Sequence, residues 1–166
     1  MTGMAASTPA IQALVRARVS YVVHAYPHDP RGDNYGDEAV AALSERVGVT
    51  AEQIFKTLII ELSTGSAAVA MVPVPRSLSL KAAAAALGAP KAVMADKVKA
   101  QRLTGYVLGG VSPLGQRRAL PTVIDESAAR WDRILCSAGR RGLEIELAPA
   151  DLIRLTTAVT APVAAS

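Results

Sequence analysis

Lys56-Thr57-Leu58-Ile59-Ile60-Glu61-Leu62, then Ser63-Thr64-Gly65-Ser66, then Ala67-Ala68-Val69-Ala70-Met71-Val72-Pro73-Val74, is the stretch that decides the fold. Two apolar, β-favouring runs flank a short segment of turn residues, which is the pattern of a β-hairpin. The second run is apolar almost throughout, and its longest stretch, around Val69 to Val74, suits a buried strand.

Upstream, Thr8-Pro9 offers a capping hydroxyl and a first-turn proline to a helix striped by Ile11, Leu14 and Val15. Ser20 to Tyr26 reads as a strand that Pro27 ends, and turn formers fill Asp29 to Asp33. Gly36 to Val47 carries Val40, Leu43 and Val47 at helical spacing before Gly48. Thr50 caps a short helix that runs into the hairpin.

Downstream, Ser79 to Leu87 is an alanine-rich helix ended by Gly88. A short strand at Ala92 to Met94 and a helix from Asp96 to Arg102 follow. Gly105 to Gly115 is a glycine-rich loop. Strands are predicted at Thr122 to Ile124, Ile134 to Ser137 and Leu143 to Leu147, with a short helix near Ala128. Pro149 starts a last helix through Leu155, and the small, nearly uncharged residues from Ala158 are expected to fray. Strands and helices mix without steady alternation and without an internal repeat. The prediction is α+β, one domain over residues 8–157, with flexible ends at 1–7 and 158–166.

The chain has 166 residues, 51% of them hydrophobic, with one cysteine, a formal net charge of +4 and a pI near 9.5. No apolar run approaches the ~20 residues that cross a bilayer, and the first residues lack a signal peptide's charged start and apolar core. Cys136 alone can form neither an internal disulfide nor a cysteine-built metal site, and a reducing cytoplasm is the expected compartment. Arg76, Lys81, Lys91, Lys97, Lys99, Arg102, Arg117, Arg118, Arg140 and Arg141 crowd the middle and later chain. That excess suits a phosphate-bearing partner. Aromatic residues are too sparse among them for base stacking, so backbone and shape contacts to RNA are expected.

Three stretches could carry chemistry. His24 to Asp29 gathers His24, Tyr26, His28 and Asp29 at a strand end, either as a site or as exposed loop polarity; no second cluster completes a metal shell. Lys56, at the start of an apolar strand, must either reach water or neutralise an anion. Gly109-Gly110-Val111-Ser112-Pro113-Leu114-Gly115 could present main-chain amides to a phosphate or oxyanion, or simply form a tight turn. No G-x-S-x-G nucleophile motif is present. Cys136 reads as a small buried hydrophobe, Trp131 as a core or edge anchor, and Arg140-Arg141 as phosphate contacts or solvated loop residues.

Several segments, in order, resemble the YbaK family of Cys-tRNA(Pro) deacylases, relatives of the editing domain inserted in bacterial prolyl-tRNA synthetases. They include His24-Ala25-Tyr26-Pro27-His28-Asp29, Asn34-Tyr35-Gly36-Asp37-Glu38, Phe55-Lys56-Thr57-Leu58, Met94-Ala95-Asp96, Gln101 to Tyr106, Gly109 to Gly115 and Arg141 to Leu147. The resemblance runs from about Thr8 to Leu155. It implies a mixed, partly barrel-like sheet flanked by helices. It also implies that Lys56 engages the terminal adenosine phosphate or the ester, and that the Gly109-x-x-x-Pro113 loop lines the aminoacyl pocket.

Gly109 joins Lys56 in the expected catalytic set, and Tyr26, His28, Thr57, Gly110, Ser112, Pro113, Ser137 and Glu144 are the expected substrate-binding residues. The implied substrate is an aminoacyl-tRNA, with prolyl-tRNA synthetase a possible partner and no metal or organic cofactor. Cysteine's own thiol would attack its ester, so the enzyme needs no nucleophile. Glu144 stands where the family has Asp, and Ala138-Gly139 where it has Gly-Gly; the longer Glu144 could shift amino-acid preference. Rival readings are an editing factor for alanine, serine or threonine, a non-catalytic tRNA- or synthetase-binding module, and a small-metabolite site.

Overall fold

The computed structural model describes residues 7–165. The expected hairpin is present. β2 (Phe55–Leu62) pairs antiparallel with β3 (Ala67–Pro73), from Phe55↔Pro73 to Glu61↔Ala67, and Gly65 takes the positive φ of the turn. Period-two alternation sends the side chains of these strands into two cores. Phe55, Ile59, Val69 and Met71 join one buried cluster, while Ile60, Leu62, Ala68, Ala70 and Val72 join another. Ala68 to Val72 are fully buried, so the expected buried strand is present and is covered on both faces.

The covering elements are those the sequence supplies. α1 (Pro9–Ala17) begins at Thr8, whose hydroxyl accepts from the Ile11 amide and donates to the Ala138 carbonyl, tying the cap to a distant strand. β1 (Tyr21–Ala25), β7 (Ile134–Arg140) and β8 (Leu143–Leu147) form an antiparallel three-stranded sheet in the order β1-β8-β7. Its Ile134, Cys136, Ile145 and Leu147 pack with Phe55 and Met71. α2 (Tyr35–Leu43) brings Ala39 and Leu43 against Tyr26, Ile54 and Leu135. The two sheets meet where Ile54 bridges Leu135.

On the opposite side, α3 (Leu80–Ala86) presents Ala83 and Ala84 to the hairpin, and Ser79 caps it through the Ala82 amide. The five-stranded mixed sheet has β5 (Ala92–Met94) and β6 (Thr122–Asp125) flanking the hairpin and β9 (Val159–Ala161) beyond β6, in the order β5-β2-β3-β6-β9. α4 (Lys97–Thr104), capped by Asp96, follows β5, and α5 (Pro149–Thr156) follows β8. The α+β class and the single mixed assembly are as expected.

The tail is not. Residues from Ala158 were expected to fray, but β9 (Val159–Ala161) pairs in parallel with β6, and β10 (Ala164–Ala165) pairs with β4 (Ser77–Leu78). Val163 is fully buried. Asp125 accepts from the amides of Val163 and Ala164 at 3.0 and 2.9 Å, and also from Ser127. Burial alone would raise the Asp125 carboxyl, but these hydrogen bonds outweigh it and hold it below the ordinary value. Small residues hid the tail's role because alanine and valine carry little pattern over so short a run. The expected flexible N-terminus lies outside the described residues apart from Ser7.

Two boundaries also differ. The helix expected to run from Gly36 to Val47 is α-helical only to Leu43 and continues as a π-turn over Ser44–Gly48. The loop expected from Ser137 is strand as far as Arg140, with a bulge between Ser137 and Arg140.

Candidate active site

One cavity of about 510 Å³ opens where α2, the start of β2, the β5–α4 connection, the 108–111 loop and the β7–β8 pair converge. Lys56, Thr57, Tyr26, Gly109, Ser137 and Glu144, all expected site residues, line it. Strand pairing accounts for part of this grouping. Ser137 and His24 are the partners of Glu144 on either side of β8, and residues opposed in antiparallel strands share a face. Thr57 lies between Phe55 and Ile59 on β2, and its hydroxyl is buried without a hydrogen-bond partner among the described residues.

Glu144 is buried, and burial pushes its carboxyl up to about 8, so the protonated form predominates at neutral pH. A neutral carboxyl in such a wall can donate a hydrogen bond as well as accept one. The Tyr26 hydroxyl is raised first by burial, then by Glu144 and Glu38, and stays protonated. Lys56, half-buried, supplies a cation to the same space. The cavity thus combines two lysines, Lys56 and Lys97, with the neutral donors of Glu144 and Tyr26, while Asp33 and Asp37 also line it. The lysines and neutral donors suit a polar group on which negative charge develops.

The glycine loop divides. Gly109 lines the cavity, whereas Gly110, Ser112 and Pro113 are not among its lining residues. Gly110 is buried against the backbone of Arg140 and Arg141, and its amide donates to the Val107 carbonyl, closing a turn. The Ser112 hydroxyl is fully buried and accepts from the Leu114 amide. These residues shape the loop; the cavity wall is made by Leu108, Gly109 and Val111. Gly109 has φ +82°, and a Cβ there would stand 2.5 Å from the Tyr35 ring, so only glycine lets this ring close the wall.

His28 is also displaced from its expected place. It lies behind the cavity wall, with Nδ1 2.5 Å from Glu38 Oε1 and its ring centroid 5.8 Å from that of Tyr35. The other Glu38 oxygen accepts from the Asp29 amide. Hydrogen bonds from His28 and then from the Asp29 backbone hold the Glu38 carboxyl below its ordinary value. His24 pairs instead with Glu146 at 2.7 Å. Neither histidine lines the cavity.

Several wall residues were not picked out by the sequence as site residues: Asn34, Tyr35, Asp37, Met94, Lys97 and Leu108. Tyr35 is fixed by the Arg141 guanidinium 4.9 Å from its ring centre, and Arg141 Nε donates to the Leu108 carbonyl. The pairing of a polar Asn34-Tyr35-Gly36-Asp37 entry with a helix start was the available signal, but it reads equally as a loop. Among the described residues, no three His, Cys, Asp or Glu side chains are grouped so as to hold a metal ion. No described helix is long and apolar enough to cross a membrane.

Known proteins resemble this chain in sequence and in fold. Residues 37–155 match the model of the aminoacyl-tRNA editing domain. An Enterococcus faecalis protein named "Putative Cys-tRNA(Pro)/Cys-tRNA(Cys) deacylase EbsC" is 38% identical over 124 residues, covering 75% of this chain and 74% of its own. A crystal structure described as "a putative trans-editing enzyme for prolyl tRNA synthetase" superposes with TM-score 0.77 at 25% identity, over 96% of this chain and 99% of the other. The fold is likewise that of hypothetical protein APE2540, at TM-score 0.81 and 22% identity, over 95% of this chain and 100% of the other. A family match across most of the chain and a relative of this identity, together with the fold, have one reading: the chain belongs to the aminoacyl-tRNA editing domain family.

Proposed function

We propose that this protein is a trans-editing deacylase that releases cysteine from mischarged Cys-tRNA(Pro), with Lys56 and Gly109 as its principal catalytic residues. The observation that carries the reading is a cavity with lysines and neutral donors in which, among the described residues, no hydroxyl is hydrogen-bonded to a base. Serine, threonine or cysteine needs a neighbouring base or a lowered pKa to attack an ester. Both histidines are engaged outside the cavity, Ser137 Oγ accepts from the Gly139 amide, and burial pushes the Cys136 thiol far up. A substrate that brings its own nucleophile resolves this.

In the reaction, the cysteinyl sulfur, as thiolate, bonds to its own ester carbonyl carbon. The bond from that carbon to the ribose oxygen breaks, and that oxygen leaves on the tRNA and takes up a proton. Cysteine departs as a four-membered thiolactone, which water then opens. The protein's part is to fold the side chain onto the carbonyl and to stabilise the oxyanion. Lys56 faces the terminal phosphate or the oxyanion. Glu144, Tyr26, Ser137 and Thr57 border the amino acid, and Gly109 permits the Tyr35 wall. The name of the Enterococcus faecalis relative supports cysteine as the amino acid. Prolyl-tRNA synthetase would be the source of the error, and the cytoplasm its place.

The experiment is deacylation of Cys-, Ala- and Ser-tRNA(Pro) by wild type and Lys56→Ala. The expected result is loss of cysteine alone, with the substitution lowering the rate by about 10²–10³, the scale for one preorganised charge-stabilising donor. Turnover of the alanyl or seryl ester at a comparable rate would exclude thiol-driven release. No turnover of any of them would leave a tRNA-binding module.

A further inference from the structure

The cavity shares α4 with a second hollow, of about 260 Å³, lined by Lys99, Arg102 and Arg118 together with Leu103, Leu120 and the β2–β3 turn at Gly65 to Ala67. Lys97 and Ala100, on the same helix, line the cavity itself. Residues three apart in a helix are neighbours, so Lys99 and Arg102 form one edge of α4, and Lys97 and Ala100 the other. Between these edges the crest of the helix is exposed, with Val98 70% accessible. An eight-residue helix is about 12 Å long, so cations at the cavity mouth and in the second hollow fall within a few nucleotides' reach.

The charge balance across this surface is positive. Glu61 pairs with Lys99 at 2.7 Å, and Asp96 is occupied with the Lys99 amide as the cap of α4. Lys97, Arg102 and Arg118 are exposed and have no ion pair among the described residues. The Arg102 carbonyl accepts from the Arg117 guanidinium, which brings a further cation to this side. Exposed arginines grouped without carboxylates repel one another in the absence of an anion, and among the described residues no aromatic ring lines the second hollow to stack a base.

We propose that α4 and the Arg118 segment form a docking track for the RNA backbone, receiving phosphates of the tRNA acceptor stem as the 3′ end leaves the cavity past Lys97. The proposal rests on the tRNA reading of the cavity, because it is that reading which makes a phosphodiester chain emerge at this point. The track carries no base-reading geometry. It therefore adds affinity for any acceptor stem and leaves discrimination to the aminoacyl group.

The test uses Arg102→Ala/Arg118→Ala in the full chain, with Lys81→Ala on α3 as a control cation outside both hollows. Binding of uncharged tRNA(Pro) is measured against salt concentration, together with steady-state deacylation of Cys-tRNA(Pro) and of a cysteinylated CCA trinucleotide. Each lost phosphate contact lowers the salt slope by about 1, so the double variant should lose about 2 in slope. Its KM for Cys-tRNA(Pro) should rise at least tenfold at unchanged kcat, with no such penalty on the trinucleotide. A slope and KM equal to those of Lys81→Ala would overturn the proposal. So would an equal loss on the trinucleotide, which would place the arginines in support of the cavity. A wild type that deacylates nothing, yet binds uncharged tRNA through Arg102 and Arg118, would overturn the deacylase reading and leave the track standing.

Discussion

Gly109→Ala separates the shape of the cavity from the stability of the fold, because Gly48 provides a matched control. Both glycines have nearly the same φ, +82° and +81°. At Gly48 an added Cβ meets nothing within 4 Å, while at Gly109 it would stand 2.5 Å from two atoms of the Tyr35 ring and 2.7 Å from a third. Alanine in the left-handed region costs roughly 1–2 kcal/mol, partly offset by the 0.4–1 kcal/mol that its stiffer unfolded chain returns. Gly48→Ala should therefore lose about 1 kcal/mol, or roughly 2–4 °C in Tm for a chain of this size.

Gly109→Ala carries that strain plus a ring that must retreat by about 1 Å to regain ordinary contact. Its path is obstructed by Arg141, which is anchored on the Leu108 carbonyl at 2.6 Å, and by His28. Overpacking of this kind adds about 1–3 kcal/mol, for a total near 2–4 kcal/mol. Because the displaced ring is a wall of the cavity, a shift of that size should also lower kcat/KM about 100-fold. Thermal melts of the two variants, with deacylation of Cys-tRNA(Pro), read both effects. If Gly109→Ala matched Gly48→Ala in Tm and in rate, Tyr35 would not be the wall that this reasoning makes it.

Three further outcomes follow from groups outside that wall. Glu144 has a folded-state pKa raised to about 8, so the native state binds the extra proton, and stability falls as pH rises from the unfolded carboxyl value through 8. Glu144→Gln should remove that slope, up to about 1.4 kcal/mol per pH unit, and gain on wild type from pH 6 to 8 in urea-unfolding series. Asp125→Ala leaves the buried Val163 amide without its acceptor and should cost about 2–4 kcal/mol by denaturant melts, with hydrogen exchange faster first at Val163 and Ala164. Cys136→Ala should keep deacylation within about twofold while losing about 1–2 kcal/mol of stability, as the removal of a small buried side chain does. An inactive Cys136→Ala that still melts cooperatively would argue for an enzyme thiol.

Much of this was legible in the chain because local physics and tertiary need agreed. The hairpin announced itself by composition and turn chemistry, and the caps at Thr8, Ser79 and Asp96 act as their residue types require. Lys56 could be singled out because a cation at the head of an apolar strand needs an explanation. The role of Gly110 could not, since a glycine at a ligand and a glycine against another backbone look alike in sequence. Glu144 illustrates the same limit in reverse. Alternation in Leu143-Glu144-Ile145-Glu146-Leu147 puts both glutamates on one face, yet Glu144 is buried in the cavity while Glu146 faces His24 and Arg133. What distinguishes them is tertiary: Glu144 lies in the cavity wall, whereas Glu146 is 2.7 Å from His24. The tail's two short strands depend on Asp125, far away in sequence, and no local signal encodes that.

The antiparallel seam between β1 and β8 has a bearing on synthesis. His24 and Glu146, which meet across it, are 122 positions apart, and the parallel pairings β3–β6 and β6–β9 are also non-local. A chain emerging from the ribosome has Lys56 and the glycine loop exposed well before Glu144 exists to face them. Non-local pairing of this kind also slows folding. The nascent protein should thus remain silent toward charged tRNA around it until β8, which carries Glu144, has cleared the exit tunnel and paired.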